Sequence, residues 1–298
     1  MRPVRNKLII LIVLKIKEKD YDKVALLLDE IPFNTLFARA VTDGIVKGEI
    51  YVDSIQSPRT AYIVHPYGMS LLCGDPTNYS FNEKLLYYLL DTNAEYRKRQ
   101  EWLQVYPLQW EEVLAVLVKD KLVTYSDHLY AGNCERDYLL KETAHSHIIR
   151  WNRLNFKFVQ PEQPLKPAPL PDGFELKRID ASMLKMAGSV VPQFFWNSYD
   201  DFLANGVAFG VVRDGRPVSI AFSAYIKDRN LEIGIETDLH YRGKGFALQS
   251  CHALINYCLD NDLTPVWSCR KENTCSLRLA EKLGFHISGM FPYYSLPG

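Results

Sequence analysis

The sequence predicts an α+β protein, a mixed sheet with helices laid out in two successive parts. Three observations predict it: strand-like and helix-like apolar periods alternate, a proline-rich stretch interrupts them near the middle, and a glycine-rich turn joins a strand pattern to a helix pattern in the second part. With 298 residues the chain is long enough for two domains of ordinary size. The interruption, "QPEQPLKPAPLPDG" from Gln160 to Gly173, carries five prolines, which remove backbone donors and favour extended chain over helix or ladder. The expected division is residues 1–160, a linker over 161–173, and residues 174–298.

The chain opens with a basic start and an apolar run from Leu8 to Leu14. That run is too short to span a bilayer, and Lys15, Lys17, Glu18 and Lys19 follow it where a small-residue cleavage site would be needed for export. A buried first helix or strand, or an upstream start codon, is the expectation. Next, "YDKVALLLDEI" and "TLFARAVTDGI" have helical spacing. "GEIYVDS", "RTAYIVHPYG" and "MSLLCGD" form a meander, after which come a helix "NEKLLYYLLD", a strand "WLQVYP", a helix "WEEVLAVLV" and a strand "RLNFKFV".

The second part repeats this order. "FELKRID" alternates as a strand, and "MLKMAGSVVPQFFWNSYDDFLANG" has helical spacing broken at Pro192. Three β-rich runs follow, separated by Asp214-Gly215 and by Asp228-Arg229-Asn230, the mark of an antiparallel meander. Ala247, Leu248, Cys251, Leu254, Ile255, Cys258 and Leu259 recur at three- and four-residue steps, which makes a helix with one buried face. "TPVWSCR" is a strand, "NTCSLRLAEKLGF" a helix and "HISGMFPYYSL" a last strand. No sequence repeat is visible, so a shared architecture rests on element order alone.

Composition narrows the function. Lys and Arg number 35 and Asp and Glu 35, so no overall field draws the protein to nucleic acid or to an anionic membrane, and neither partner is expected. Any anion site must be local. Cys73, Cys134, Cys251, Cys258, Cys269 and Cys275 show no C-x-x-C spacing and no nearby His pair, which points to reduced thiols in the cytoplasm and to no metal. Cys269 and Cys275 are expected as buried small apolar groups.

In "ETDLHYRGKGFALQ" the chain leaves a strand and turns through Arg242-Gly243-Lys244-Gly245 into a helix. Two glycines let successive N–H groups converge, and a helix N-terminus adds unpaired donors, so a diphosphate fits there with Arg242 and Lys244 at its rim. A short motif of this kind also occurs as a plain flexible corner. A nucleotide-kinase reading is disfavoured, because the G-x-x-x-x-G-K-(S/T) frame is missing. In the first part, "CGDPTNYSFNEK" stands where this turn would be, with one glycine, a proline and no comparable run of amides.

Arg242-Gly243-Lys244-Gly245-Phe246-Ala247 resembles the R/Q-x-x-G-x-G/A signature of the GNAT superfamily of N-acetyltransferases, and "ENTCSLRLAEKLGF" resembles the segment that follows it in that family. The two motifs cover the second part, and the whole chain is similar to two-part GNAT proteins such as the group that includes the zwittermicin A resistance acetyltransferase. The resemblance implies a GNAT fold over 174–298 and a degenerate GNAT-like domain over 1–160, with acetyl-CoA as cosubstrate. It implies that the amides of Gly243, Lys244, Gly245, Phe246 and Ala247 hold the CoA pyrophosphate with Arg242. Ile235, Glu236 and Thr237 would lie along the pantetheine arm, and Asn273 would bond the cosubstrate or serve only as a helix cap.

Acetyl transfer to an amine needs a base, because ammonium groups are protonated at neutral pH. Glu232, Gly234 and Glu236 share one strand face by period two, with the glycine leaving room between the carboxylates, while Leu231, Ile233 and Ile235 face the other way. Glu232 is placed ahead of Glu236 as base, against the alternative of an acidic edge salt-bridged to Arg242. The family's usual acid is a tyrosine one residue after the leucine of its second segment; here that position is Ala280. Tyr293 or Tyr294 could replace it, or direct attack could proceed with weak acid assistance. Trp196, Tyr199 and Phe202 fall where the family's first helices cover the acceptor, as pocket wall or as core. The expected function is acetyl-CoA-dependent N-acetylation of a small-molecule primary amine. A protein that binds acyl-CoA as a sensor or structural partner is the alternative. The first part is expected to shape the acceptor entrance or a homodimer contact.

Overall fold

The computed structural model of the chain describes residues 14–91, 97, 99–125, 146–162, 165–184 and 188–297, so Cys134 and all but Leu14 of the apolar run lie outside the described residues. The first part contains β1 (Leu14–Lys15), α1 (Asp22–Ala25), α2 (Leu36–Thr42), β2 (Glu49–Val52), β3 (Thr60–Val64), β4 (Met69–Gly74), α3 (Tyr79–Leu89), β5 (Glu101–Tyr106), α4 (Trp110–Val118), β6 (Leu122–Thr124) and β7 (Ile148–Phe158). The second contains β8 (Phe174–Arg178), α5 (Tyr199–Asn205), β9 (Ala208–Arg213), β10 (Arg216–Lys227), β11 (Asn230–Thr237), α6 (Phe246–Asp260), β12 (Thr264–Arg270), α7 (Thr274–Lys282) and β13 (Phe285–Leu296).

All strands join one mixed sheet in the order β1-β2-β3-β4-β5-β13-β7-β12-β11-β10-β9-β8, with β6 attached to β7. The last strand of each part is seated in the other. β13 pairs with β5, setting Tyr293 opposite Gln104, and β7 pairs with β12, setting Leu154 opposite Cys269. The two exchanged strands also pair with each other from Phe285↔Phe158 to Ser295↔Ile149. Apolar periodicity identifies strands but not their partners, so the exchange was not legible in element order. Within the meander, Asp214-Gly215 and Asp228-Arg229 take positive φ at both positions, as two-residue hairpin loops require.

Helices cover both faces. α3 and α4 close a core of Phe81, Leu85, Trp110, Leu103, Val105 and Tyr294. α6 lays Cys251, Leu254, Ile255 and Cys258 against Leu231 and Ile233 of β11, which is the helical stripe expected from the sequence. A third core joins the parts, with Val24, Val41, Ile50 and Ile63 meeting Trp151, Tyr225 and Tyr293. There Tyr225 donates to Asp43 Oδ2 at 2.9 Å and Lys227 forms an ion pair with the same carboxylate.

Two helical expectations are shortened. Residues 21–31 form α1 and then a 3-10 turn at Leu26–Leu28, ahead of Pro32, which disfavours helix in the residue before it. Between 181 and 205 only α5 is α-helical among the described residues, preceded by 3-10 turns at Ala181–Met183 and Pro192–Phe194. Trp196 and Phe202 are core, the indole N–H donating to Ser223 O at 2.9 Å, and Tyr199 is partly buried beside them. Cys269 is buried as expected, whereas Cys275, on the first turn of α7, is exposed.

Candidate functional site: a splayed strand pair and an open helix mouth

β11 and β12 run parallel and pair at Asn230↔Thr264, Leu231↔Pro265 and Glu232↔Val266, and not beyond. The equivalent pair of the first part, β4 and β5, stays joined over five positions from Met69↔Trp102 to Cys73↔Tyr106. Thr264 N donates to Arg229 O at 2.6 Å on the β12 side, and Asp238 N donates to Val218 O at 2.9 Å on the β10 side. Strand alternation then turns the backbone groups of Ile233, Ile235 and Thr237 toward the gap. Arg242 Nε donates to Thr237 O at 3.0 Å at the wide end of that gap.

The glycine turn stands at the same end. Gly243 and Gly245 have φ of +76° and +81°, and a Cβ added to either would meet nothing within 4 Å. Their glycines are therefore required by backbone conformation, not by crowding, and the surface above them is open. Gly245 precedes α6 and supplies no side-chain cap. The N–H groups of Gly243, Lys244, Gly245, Phe246 and Ala247 donate to no other group among the described residues. Phe246 anchors the mouth by packing against Val211, Val218 and Phe174. Lys244 Nζ sits 5.1 Å from the centre of the Tyr241 ring. A helix mouth with five free donors is built to receive an anion.

Glu232 and Glu236 both lie on the strand face opposite α6, but their surroundings differ. Glu236 is buried, and its Oε2 accepts from Ser189 N at 2.9 Å, Val190 N at 3.1 Å and Ser189 Oγ at 3.4 Å. Its Oε1 accepts from Thr237 N at 3.2 Å and from Arg242 Nη2 at 3.1 Å. Five donors tie this carboxylate to the 188–190 loop, to its own strand end and to Arg242. Gly188 is a glycine because a Cβ there would collide with the Glu236 side chain. Gly234 does not simply leave space between the carboxylates: the Phe222 ring occupies the place its Cβ would take.

Glu232 accepts from Asn34 Nδ2 at 2.6 Å, a residue of the first part that precedes α2. Loss of water raises its carboxyl above the ordinary range, with the Arg153 charge and bonds from Asn34 and Ser268 acting in the other direction. Arg153 Nη2 donates to Ser268 Oγ at 2.7 Å, and Asn34 Nδ2, which bonds Glu232, also reaches that hydroxyl at 3.5 Å. Tyr67 stacks on Phe195 at 4.2 Å between ring centres, and burial raises its phenol. Sequence reasoning missed Asn34, Tyr67, Arg153 and Ser268. Only Arg153 and Asn155 carried a signal, as polar residues alternating with Leu154 and Phe156 on a segment read as a strand.

The GNAT acetyltransferase family model matches residues 27–294. The chain belongs to the GNAT acetyltransferase family. It is 26% identical over 285 residues to the uncharacterized N-acetyltransferase YdfB of Bacillus subtilis (strain 168), covering 94% of this chain and 98% of that one. A GCN5-related N-acetyltransferase-like protein from Streptococcus suis 89/1591 matches with a TM-score of 0.62 at 22% identity, over 93% of this chain and 98% of the other. A tandem GNAT protein from the clavulanic acid biosynthesis pathway matches with a TM-score of 0.54 at 10% identity, over 92% of each chain. At these identities the two solved structures show the shared fold. As a GNAT enzyme the protein is an acyltransferase that moves acetyl groups, and no helix among its described residues is long and apolar enough to cross a membrane.

The remaining GNAT candidates separate. Tyr293 faces the Glu232 side: its hydroxyl donates to Met69 Sδ at 3.1 Å and accepts from Arg153 Nη1 at 3.4 Å, and burial pushes it up to about 12. Tyr294 points to the opposite face, packed with Leu103 and Leu296 under α3 and α4, so the structure does not bring it to Glu232. Ala280, at the GNAT tyrosine position, is fully buried. Asn273 caps α7, its Oδ1 accepting from Ser276 N at 3.1 Å. Asn273→Ala is therefore expected to lower stability by about 1 kcal/mol in urea unfolding, with Asn273→Ser retaining most of it.

Proposed function

We propose that this GNAT protein transfers the acetyl group of acetyl-CoA to the primary amine of a small molecule, with Glu232 as general base. One observation carries the reading: the splay of β11 from β12 leaves the backbone of Ile235 without a strand partner on the β12 side, between the five free amides at residues 243–247 and the carboxylate of Glu232, while the Thr237 backbone is held by Glu236 and Arg242. In this reading the amides hold the pyrophosphate, Ile235 to Thr237 line the pantetheine arm, and Glu236 with Arg242 keeps that strand end in place. Glu232 removes a proton from the ammonium, directly or through water, and the nitrogen attacks the thioester carbonyl. The carbon–sulfur bond breaks and the thiolate takes up a proton, for which Tyr293 is the phenol on the right face.

Residues 1–160 act in this proposal as a sister domain whose strand pair stays closed and which lends Asn34 and Tyr67 to the acceptor side of the other half. The division at the proline-rich linker is part of the same proposal. Calorimetry with CoA, together with release of free thiol from acetyl-CoA across polyamines, aminoglycosides, amino acids and peptides, tests it. No heat with CoA would end the reading. Gly245→Val should raise the KM for acetyl-CoA by about tenfold or more, because a branched residue resists positive φ and its methyls intrude on the amides.

A second reading, an acyl-CoA-binding protein without turnover, is favoured by Ala280 and by the occupied hydroxyl of Tyr293. Tight binding of acetyl-CoA with no thiol release from any amine would select it.

A further inference from the structure

Two guanidinium groups and two unsatisfied donors stand beside Glu232 on one face of the sheet. The β7–β12 register sets Arg153 opposite Arg270 and Asn155 opposite Ser268, so these four side chains share that face. Neither arginine has a carboxylate within ion-pair distance among the described residues. Arg153 uses Nη2 on Ser268 and Nη1 on Tyr293, and its Nε is buried without a partner among the described residues. Arg270 lies over the rings of Trp102 and Trp151, at 5.1 and 4.4 Å from their centres. Asn155 is 6% exposed, spends its Oδ1 on Asn34 N at 3.0 Å, and has a buried Nδ2 with no partner among the described residues. It also lines a neighbouring cavity of about 280 Å³ with Phe33, Asn34, Lys227, Asp228 and Val266, to which Glu232 and Arg153 do not contribute.

Every unspent group here on Arg153 and Asn155 is a donor. Buried donors without partners are costly, and a guanidinium facing a second guanidinium in a partly dry place calls for a counter-charge. Glu232, the carboxylate in this group, already accepts from Asn34. What the face lacks is an acceptor-rich anion that arrives with the ligand.

Resting on the acetyltransferase reading of the same site, we infer that the acceptor is an amino acid or a close relative, its amine at Glu232 and its carboxylate on Arg153 and Asn155. Ser268 sets the scale. The Ser268 hydroxyl bonded by Arg153 shares the Asn34 amide with Glu232, and this short path between guanidinium and carboxylate suits an amine and a carboxylate on the same or adjacent carbons better than the two ends of a long ω-amino acid. The planar fork of arginine suits carboxylate recognition, and lysine would not reproduce it.

The test compares acceptors in matched pairs on the full-length enzyme, each L-amino acid against its decarboxylated amine and its methyl ester, by thiol release from acetyl-CoA and by calorimetry of each compound with the CoA-saturated protein. Amino acids should be preferred over both partners by about tenfold or more, the discrimination seen when a site built to bond a polar group meets an analogue lacking it. Arg153→Gln should collapse that ratio toward one, and Arg153→Lys should restore little of it. Equal use of amino acid and decarboxylated amine by the wild-type protein would overturn the inference and leave acetyl transfer intact. So would a preference that survives Arg153→Gln, or one that moves instead to acyl donors carrying a carboxylate, such as succinyl-CoA. Binding of amino acids that is lost in Arg153→Gln, with no heat from CoA, would overturn the assignment of an acceptor together with the acetyltransferase reading and leave only a carboxylate site on Arg153.

Discussion

Glu232→Gln is expected to lower kcat/KM for the acceptor by about 10²- to 10⁴-fold, the usual contribution of a positioned general base, while the KM for acetyl-CoA stays near its wild-type value. Glutamine keeps the shape and can still accept from Asn34, so the loss isolates proton removal from packing. The pH profile gives a second readout. The carboxyl is raised by loss of water, with Arg153 opposing, and Tyr67 and Tyr293 are the other titratable groups near it. Activity should therefore rise with pH along a limb above the ordinary carboxylate range, and Glu232→Gln should abolish that limb. Stability carries the opposite sign. Because the folded state holds this proton more tightly than the unfolded chain, the contribution of Glu232 is full at low pH and is lost as pH climbs through the raised value. A plot of unfolding free energy against pH should be flatter in that window for the variant.

Glu236→Ala is expected to cost about 3 kcal/mol of stability, since removing one side of a buried, multiply bonded charge strands its partners. The amides of Ser189 and Val190 lose their acceptor together, and Arg242 loses its ion pair. Urea unfolding measures the cost. Glu236→Gln, which keeps one acceptor oxygen in place, should recover part of it. If Glu236→Ala unfolds like the wild-type protein but loses turnover, the carboxylate is catalytic after all and the placement of the base on Glu232 fails.

The parts of this site that depend on local chain geometry were legible in the sequence. Gly243 and Gly245 are needed because L side chains resist positive φ, and the α6 stripe from Leu248 to Cys258 needs only a 3.6-residue period; both could be read before any fold was known. The shared face of Glu232 and Glu236 followed in the same way from period two. What separates their roles did not. Glu236 is saturated by a loop 46 to 47 residues away in sequence, and Glu232 is held by Asn34 across 198 residues. Such contacts depend on which strand lies beside which, and alternation does not encode that. Tyr293 and Tyr294 show the limit most plainly: adjacent in the chain, they point to opposite faces, and only the seating of β13 between β5 and β7 decides which one meets the active face.

That seating also bears on how the protein is made. Residues 285–296 leave the ribosome after every strand they will join, so until then β5 and β7 lack the neighbour that pairs with both. The nascent chain must wait, exposed to sticking or to chaperone capture, for its final segment to close it. A translation stop within α7 would therefore spoil the half made first as well as the half left unfinished.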